Sequence, residues 1–466
     1  MRGLGVSAEE WRQAAGDVAA GGGRLLAMWA TRGAAVYAAY ITDSGVLILE
    51  LPIGDAEFPG LEELFPAASR MQRAIADLCE VRSTDPDRRS WLHHTPEGYE
   101  FVRVLGDGVH EIAVGPVHAG TIEPGHFRFS VVGEKVLRLE ERLGYTHKAV
   151  EQRFTEMPIL EGHRLAARLC GDSTVAYSWA YCQALEGLAN CEISPRAAAV
   201  RALLLELERI ANHLGDLGAL GNDAGFAMGL AQFSRLKEEL LRAISEAFGQ
   251  RYLLDAIAPG GTRVDVSPAA ERMLDTRVTT IGRETSELQA IYADHAGLRE
   301  RFTGAGVLAP ELATRLGVLG LAGRASGQPL DLRIDLPWSP YDALVPARIG
   351  RREGDVAARV AVRFDELQES CRLVQALLAS LPAGACSVPI DIPVSGAFGV
   401  GIIEGWRGPV FVALEAGHAG AIHRCHPHDP SWQGWPAIEH AIIGNLVADF
   451  PLINKSFNLS YSGTDL

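Results

Sequence analysis

Apolar residues recur at two periods along this chain, and the change from one to the other marks its organisation. Residues 36–51 (VYAAYITDSGVLILEL) are rich in β-branched and aliphatic side chains and are broken by Asp43-Ser44-Gly45, which predicts a β-hairpin turning at those residues. Over 61–79 the rhythm becomes helical, with Met71, Ile75 and Leu78 on one face. The polar stretch 85–89 and the breaker Pro96-Glu97-Gly98 follow, so a boundary is placed within 96–112. Beyond it, 127–132 and 135–139 predict short strands about a tight turn at Gly133-Glu134.

The centre is strongly helical. In 196–220, Leu203, Leu207, Ile210, Leu214 and Leu217 recur at helical steps, and 231–258 carries Phe233, Leu236, Leu240, Ile244 and Phe248 opposite Lys237, Glu238, Glu239 and Arg242. Residues 355–381 form a third such segment, stopped by Pro382. Stripes of this kind predict long helices packed as a bundle. From Cys386 strands return, 394–403 and 409–414, about the turn 404–408. The expected class is α+β: a small α+β unit, 1–105, then a larger unit, 112–466, with a central long-helix bundle and peripheral short strands.

Composition narrows the function classes. The chain has 466 residues, 47% hydrophobic and 22% charged, which is ample for a buried core. A net charge of −15 argues against a nucleic-acid partner, which calls for a basic face. No run approaches the roughly 18 apolar residues that cross a bilayer. The opening MRGLGVSAEEW has no signal-peptide apolar core, so the chain is expected to be soluble or held to a membrane by partners. Seven cysteines (79, 170, 182, 191, 371, 386 and 425), an odd number spread widely, predict free thiols in a reducing compartment.

Candidate chemistry is thin when each motif is taken alone. Gly399, Gly401 and Gly405 are not followed by a helical pattern, so they read as hairpin glycines rather than a phosphate loop. His423, Cys425, His426 and His428 have ligand chemistry but no second pair at zinc-site spacing, and are expected in a solvated loop beside Trp432 and Trp435. Gly115-Pro116-Val117-His118 is a rigid turn that aims a histidine, and Glu123-Pro124-Gly125-His126-Phe127 follows it.

Together these segments resemble a known pattern. After the His118 turn come Arg168-Leu169-Cys170-Gly171-Asp172-Ser173 and then Ser194-Pro195-Arg196-Ala197. That second motif opens a helix carrying Leu205-Glu206-Leu207-Glu208-Arg209-Ile210-Ala211-Asn212-His213. Gly260-Gly261-Thr262-Arg263-Val264-Asp265, the Arg407 turn, Asp449-Phe450-Pro451 and Ser460-Tyr461-Ser462-Gly463 complete it. From about 112 onward the chain resembles the large subunit of group 4, membrane-bound energy-converting [NiFe] hydrogenases and the homologous 49-kDa subunit of respiratory complex I. Residues 58–90 resemble the 30-kDa subunit of complex I, which some of these hydrogenases carry fused to the large subunit.

The departures from the pattern shape the functional expectation. A [NiFe] site takes two Cys-x-x-Cys pairs, four soft thiolates on nickel and iron. Here Ser173 stands for the second cysteine, and Ser460 and Gly463 stand for the last pair, leaving Cys170 alone. A hydroxyl is a hard, protonated, poor nickel ligand and glycine has no side chain, so the expectation is no metal in this chain and no hydrogen cleavage. In complex I the homologous cavity takes quinone. The resemblance places its two hydrogen-bond donors on His118 and Tyr181, and leaves Cys170, Ser173, Arg407, Ser460 and Gly463 as a vestigial site. Arg407 would line the cavity or pair with Glu404.

Two further departures, Ala119 after His118 and an ending in Asp465-Leu466, set the chain apart from complex I itself. The resemblance therefore implies a peripheral oxidoreductase subunit on the cytoplasmic side of the inner membrane. It would dock on an iron–sulfur small subunit, the holder of [4Fe–4S], beside ion-translocating membrane subunits in a hetero-oligomer. The chain would hold no cofactor of its own, take quinone or another small acceptor as substrate, and meet NAD only through another subunit. A non-catalytic scaffold is the alternative at this point; an active hydrogenase is set aside on ligand count.

Overall fold

The computed structural model describes residues 3–54, 57–92, 99–118 and 122–466. Helix α1 (Ala8–Ala20) begins at a capping box in which Ser7 and Glu10 satisfy each other's backbone N–H groups. A two-residue strand, β1 (Leu4–Gly5), runs parallel to β4 (Gly45–Pro52), which pairs antiparallel with β3 (Ala35–Thr42) and then β2 (Arg24–Thr31), giving the sheet order β1-β4-β3-β2. The turn expected at 43–45 therefore joins β3 to β4. Helix α2 (Ala68–Cys79) covers this sheet and is shorter than the predicted 61–79, because 61–67 forms turns. Of the boundary region, residues 96–98 lie outside the described residues. The polar stretch 85–89 is structural: Asp85 accepts from Glu62 N and Gln72 Nε2, and Asp87 accepts from Arg89.

Strands β5 (Val109–Val114), β6 (His126–Val132) and β7 (Lys135–Arg142) form an antiparallel meander, with the β6–β7 turn at Gly133-Glu134. The bundle follows. It contains α3 (Thr174–Leu188), α4 (Pro195–Asp223), α5 (Ala227–Phe248), α6 (Pro268–Asp294) and α7 (Val356–Ala379). Ser194 accepts from Ala197 N with Pro195 in the first turn, and Asp355 accepts from Ala358 N at 2.8 Å. Helix α5 stops at Gly249, whose φ of 81° suits glycine, so 250–258 leaves the helix that the sequence pattern extended to 258.

Strands β8 (Phe398–Glu404), β9 (Pro409–Ala416) and β10 (Ile422–His428) form a third antiparallel sheet against α3. The glycines at 399 and 401 are contact glycines. A Cβ at 401 would lie 1.9 Å from the Ala180 carbonyl oxygen, and one at 399 would lie 2.6 Å from that of Ala184. Gly401→Ala is therefore expected to push β8 off α3 and cost about 1–3 kcal/mol, measured by urea unfolding.

The His423–His428 segment is not a solvated loop. It is strand β10, with Cys425, His426 and His428 buried, because alternate side chains must face the core on one side and β2 on the other. Trp29 of β2 stacks on His426 at 5.3 Å, Arg424 Nε donates to the Ala30 carbonyl, and Gln433 Nε2 donates to that of Leu26. The N-terminal unit thus shares a continuous core with the C-terminal sheet.

Candidate functional site

The bundle is held by charge as well as by apolar packing. Glu206, Arg209, His213 and Asp216 follow one another at helical steps on α4, all buried. They meet buried charges of α7 and of the loops. His213 Nε2 lies 2.9 Å from Glu366, Arg363 Nη2 lies 2.8 Å from Asp216, and Arg324 bridges Glu366 and Glu404. Glu404 is therefore taken by Arg324 and is not the partner of Arg407.

At the near end of this ladder, Lys455 Nζ lies 3.3 Å from Asp216 and faces a cavity of about 690 Å³. The walls combine an apolar side (Val114, Ile122, Phe127, Phe450, Leu459) with a polar floor (Cys170, Asp172, Arg407, Ser460). His118 and Tyr461 also line it, their ring centroids 6.3 Å apart. The Nε2 atom of His118 is buried and has no hydrogen-bond partner among the described residues, and burial holds the imidazole below its ordinary pKa. The neutral ring edges the cavity with its Nε2 atom covered by protein.

Three of the four positions that the resemblance gives to thiolates meet at this floor. Cys170 Sγ donates to Asp172 Oδ1 at 2.9 Å and lies 3.1 Å from Ser460 Oγ. Ser173 Oγ donates to the same Asp172 oxygen at 3.0 Å. Gly463 N donates to Ser460 Oγ, which brings in the fourth position, but a Cβ there would sit 2.8 Å from Cγ of Asp429. Asp429 thus occupies the place where a cysteine side chain at 463 would begin.

The cation among these groups is Arg407. Its Nη2 donates to Asp172 Oδ2 at 2.6 Å, its Nε to the Asn458 carbonyl at 2.6 Å, and Nη1 lies 3.8 Å from Asp429 and 4.0 Å from Cys170 Sγ. The guanidinium also lies over the Trp406 ring, 4.4 Å from its centroid. Burial opposes charge on Asp172, but Arg407 overrides it and holds the carboxyl below its ordinary value. Burial, with Asp172 next, pushes the Cys170 thiol well above its ordinary value, so the sulfur is a neutral thiol. Its single soft donor, hydrogen-bonded to a carboxylate beside a guanidinium, does not fit a four-thiolate metal centre. Among the described residues no three His, Cys, Asp or Glu side chains converge as a metal-ligand set.

Tyr181 is not brought to His118. It lies on α3 but is fully buried, donates its hydroxyl to the Ile159 carbonyl at 2.7 Å, stacks on Phe154, and is absent from the cavity wall. A turn earlier, Tyr177 points to the floor and donates to Asp429 Oδ2 at 2.8 Å. Sequence reasoning passed over Asp172, Asp429 and Lys455. Asp172 carried a signal, since it sits between the two former ligand positions; Asp429 and Lys455 reach the site only through the fold.

The architecture, a long-helix bundle with small flanking sheets and a cavity floored by the 170–173 and 460–463 turns, defines the class. It superposes on a chain of the membrane-bound sulfane sulfur reductase, an archaeal respiratory membrane complex, with a TM-score of 0.72 at 22% identity, covering 78% of this chain and all of that one. Residues 223–394 match the model of the respiratory-chain NADH dehydrogenase 49-kDa subunit. Formate hydrogenlyase subunit 5 of Escherichia coli is 32% identical over 374 residues, 79% of this chain and 65% of that protein. The C/D protein of the NADH-quinone oxidoreductase of Bacteroides thetaiotaomicron is 27% identical over 387 residues, 82% of this chain and 73% of that protein.

The chain belongs to the family of complex I 49-kDa subunits and group 4 [NiFe] hydrogenase large subunits. It spans about two thirds of the length of formate hydrogenlyase subunit 5. No helix among the described residues is long and apolar enough to cross a membrane.

Proposed function

We propose that this chain is the hydrogenase-type large subunit of a membrane-associated redox complex. It binds no nickel, and its cavity receives quinone or another small acceptor. The observation that carries this reading is the cavity of about 690 Å³, which runs from the vestigial Cys170 floor to the ring of His118. Side chains do not fill it, as a pure scaffold would allow. Its volume lies in the range of small-molecule sites, and its mix of apolar wall and few polar groups suits a ring with two carbonyls. The N-terminal unit acts as the 30-kDa-like module of the assembly. Electrons arrive from [4Fe–4S] in a small subunit docked alongside, and the change of charge in the cavity is coupled to ion-translocating membrane partners. NAD, where it enters, is bound by another subunit.

His118 presents a hydrogen-bond donor or acceptor to one acceptor carbonyl, and the lysine and arginine of the floor stabilise the negative charge that an incoming electron brings. The phenol on this cavity is Tyr461 rather than Tyr181. The test is reduction of decylubiquinone by the purified complex with a dithionite-reduced viologen as donor. His118→Ala is expected to cut turnover about 100-fold, while Tyr181→Phe keeps it within about twofold. Full turnover in His118→Ala, or its loss in Tyr181→Phe, would refute this assignment of the site. Nickel assay of the same preparation is expected to find none in stoichiometric amount.

A further inference from the structure

A second, smaller cleft of about 130 Å³ shares Gly171 and Asp172 with the cavity just described. Its walls are Glu208, Ala211 and Asn212 of α4, Lys237 and Ile244 of α5, and the loop at 251–253. At roughly 30 Å³ per molecule it has room for about four waters. Asn212 fastens the shared turn to α4, donating Nδ2 to the Asp172 carbonyl at 2.7 Å and to that of Glu208 at 2.9 Å.

Glu208 is the unexplained group here. Its carboxyl is buried and accepts from Val175 N at 2.7 Å and Ala176 N at 3.3 Å, in the first turn of α3. Among the described residues no Lys, Arg or His forms an ion pair with it, unlike Glu206 and Glu366 of the buried ladder. The charged groups around it are Asp172 from the shared turn, Arg209 from its own helix, which is committed to Glu206 and two backbone carbonyls, and, across the cleft, Lys237 from α5 and Arg251 from the following loop, which is paired with Glu238.

We propose that this cleft is the proton entrance of the site, with Glu208 carrying protons from its water to the Asp172 side of the cavity. The proposal rests on the acceptor reading above. A quinone that gains two electrons from the iron–sulfur partner also takes up two protons from water, giving a quinol. An acceptor seated in the larger cavity displaces the water there, leaving around it the apolar wall of Val114, Ile122, Phe127 and Phe450, which passes no proton, and the side chains of Glu123, Asp223 and Lys455. The second cleft reaches the same floor from another side of the bundle. Burial pushes the Glu208 carboxyl up to about 8 against the two N–H donors, so it holds a proton at neutral pH and releases it readily. The reduced quinone is the base that takes the proton, and Asp172, held ionised by Arg407, stays charged beside the route.

In the intact complex, with reduced viologen and decylubiquinone, Glu208→Gln is expected to slow turnover at saturating quinone about tenfold with KM unchanged. It should also enlarge the solvent deuterium isotope effect, and Glu208→Asp should recover part of the rate. Unchanged turnover and isotope effect in Glu208→Gln overturn the proposal. If the wild-type complex reduces no quinone, the acceptor reading fails and the entrance is judged by infrared spectroscopy alone. The carbonyl band of protonated Glu208, identified by its loss in Glu208→Gln, should then be present at neutral pH and shift promptly in D₂O. In Ala211→Leu, which fills the cleft, that shift should be about tenfold slower. A missing band, or exchange equally fast in Ala211→Leu, overturns the entrance.

Discussion

Glu206→Ala is expected to lower the unfolding free energy of the chain by about 3–5 kcal/mol, the cost of stranding buried charge. Glu206 is fully buried, and its two oxygens accept from Arg333 Nη1 at 3.0 and 3.2 Å, Tyr341 at 2.6 Å, Ser370 at 2.6 Å and Arg209 Nε at 3.2 Å. Alanine leaves two guanidiniums and two hydroxyls facing each other without water. Glu206→Gln keeps the shape and some of the hydrogen bonds and should lose less. Burial opposes the charge of Glu206, but Arg333 and Arg209 bring its pKa from 4.5 down to about 2. A depressed native pKa means that the unfolded state binds the proton first. This stabilisation is therefore complete above the ordinary carboxylate range and fades as the pH falls from 4.5 towards 2. Urea unfolding across that interval should show a steep loss in the wild type and a shallower one in Glu206→Gln.

Arg407→Leu is the second large effect. The guanidinium is the only cation within 4 Å of both Asp172 and Asp429 among the described residues. Removing it strands Asp429, which is fully buried and keeps only Tyr177 and the Ser431 N–H. It also frees the Asn458 carbonyl at the end of α9 (Phe450–Phe457), which carries Lys455 and Asn454 into the cavity. A loss of about 3 kcal/mol in unfolding free energy is expected, with the Asp172 pKa moving upward because only the Cys170 and Ser173 hydrogen bonds then oppose burial. Acceptor turnover should fall about 100-fold, since the floor loses both its charge and its geometry. Arg407→Lys restores charge but not the fork that reaches Asp172, Asn458 and Asp429 together, so it should recover less than half of the lost stability, read by the same unfolding measurement.

Much of the fold was legible because period and caps agree. Leu203 to Leu217 marked α4, Ser194-Pro195 marked its start, and Gly133-Glu134 marked the β6–β7 turn. Helix α6 was passed over although Leu274, Val278, Ile281 and Leu288 keep helical spacing, because Thr and β-branched residues blur the stripe. The extension of α5 to 258 failed at Gly249, where a left-handed cap outweighs the apolar rhythm that continues beyond it. His426 and His428 of β10 were misplaced for a different reason, whereas His423 is exposed. Polar residues in sequence suggest solvent, and only the seating of β2 and α8 (Ser431–Ala441) around them makes the strand interior.

Residue type at a given spacing was enough for the family, the helical centre and the thinning of the thiolate set. It could not tell which polar groups meet. Glu206, Arg209, His213 and Asp216 read as one face of a helix, and nothing local says that this face is buried against Arg363 and Glu366 of α7. Arg363 stands 147 positions from Asp216, and Glu366 stands 153 from His213. Tyr177 and Tyr181 are one turn apart and chemically identical, yet the packing of α3 points the first at Asp429 and the second at a backbone carbonyl. That choice, the guanidinium between two aspartates, and the second cleft behind Glu208 come from how the elements dock. Long-range packing alone sets the distance between groups, and with it the charge each one carries.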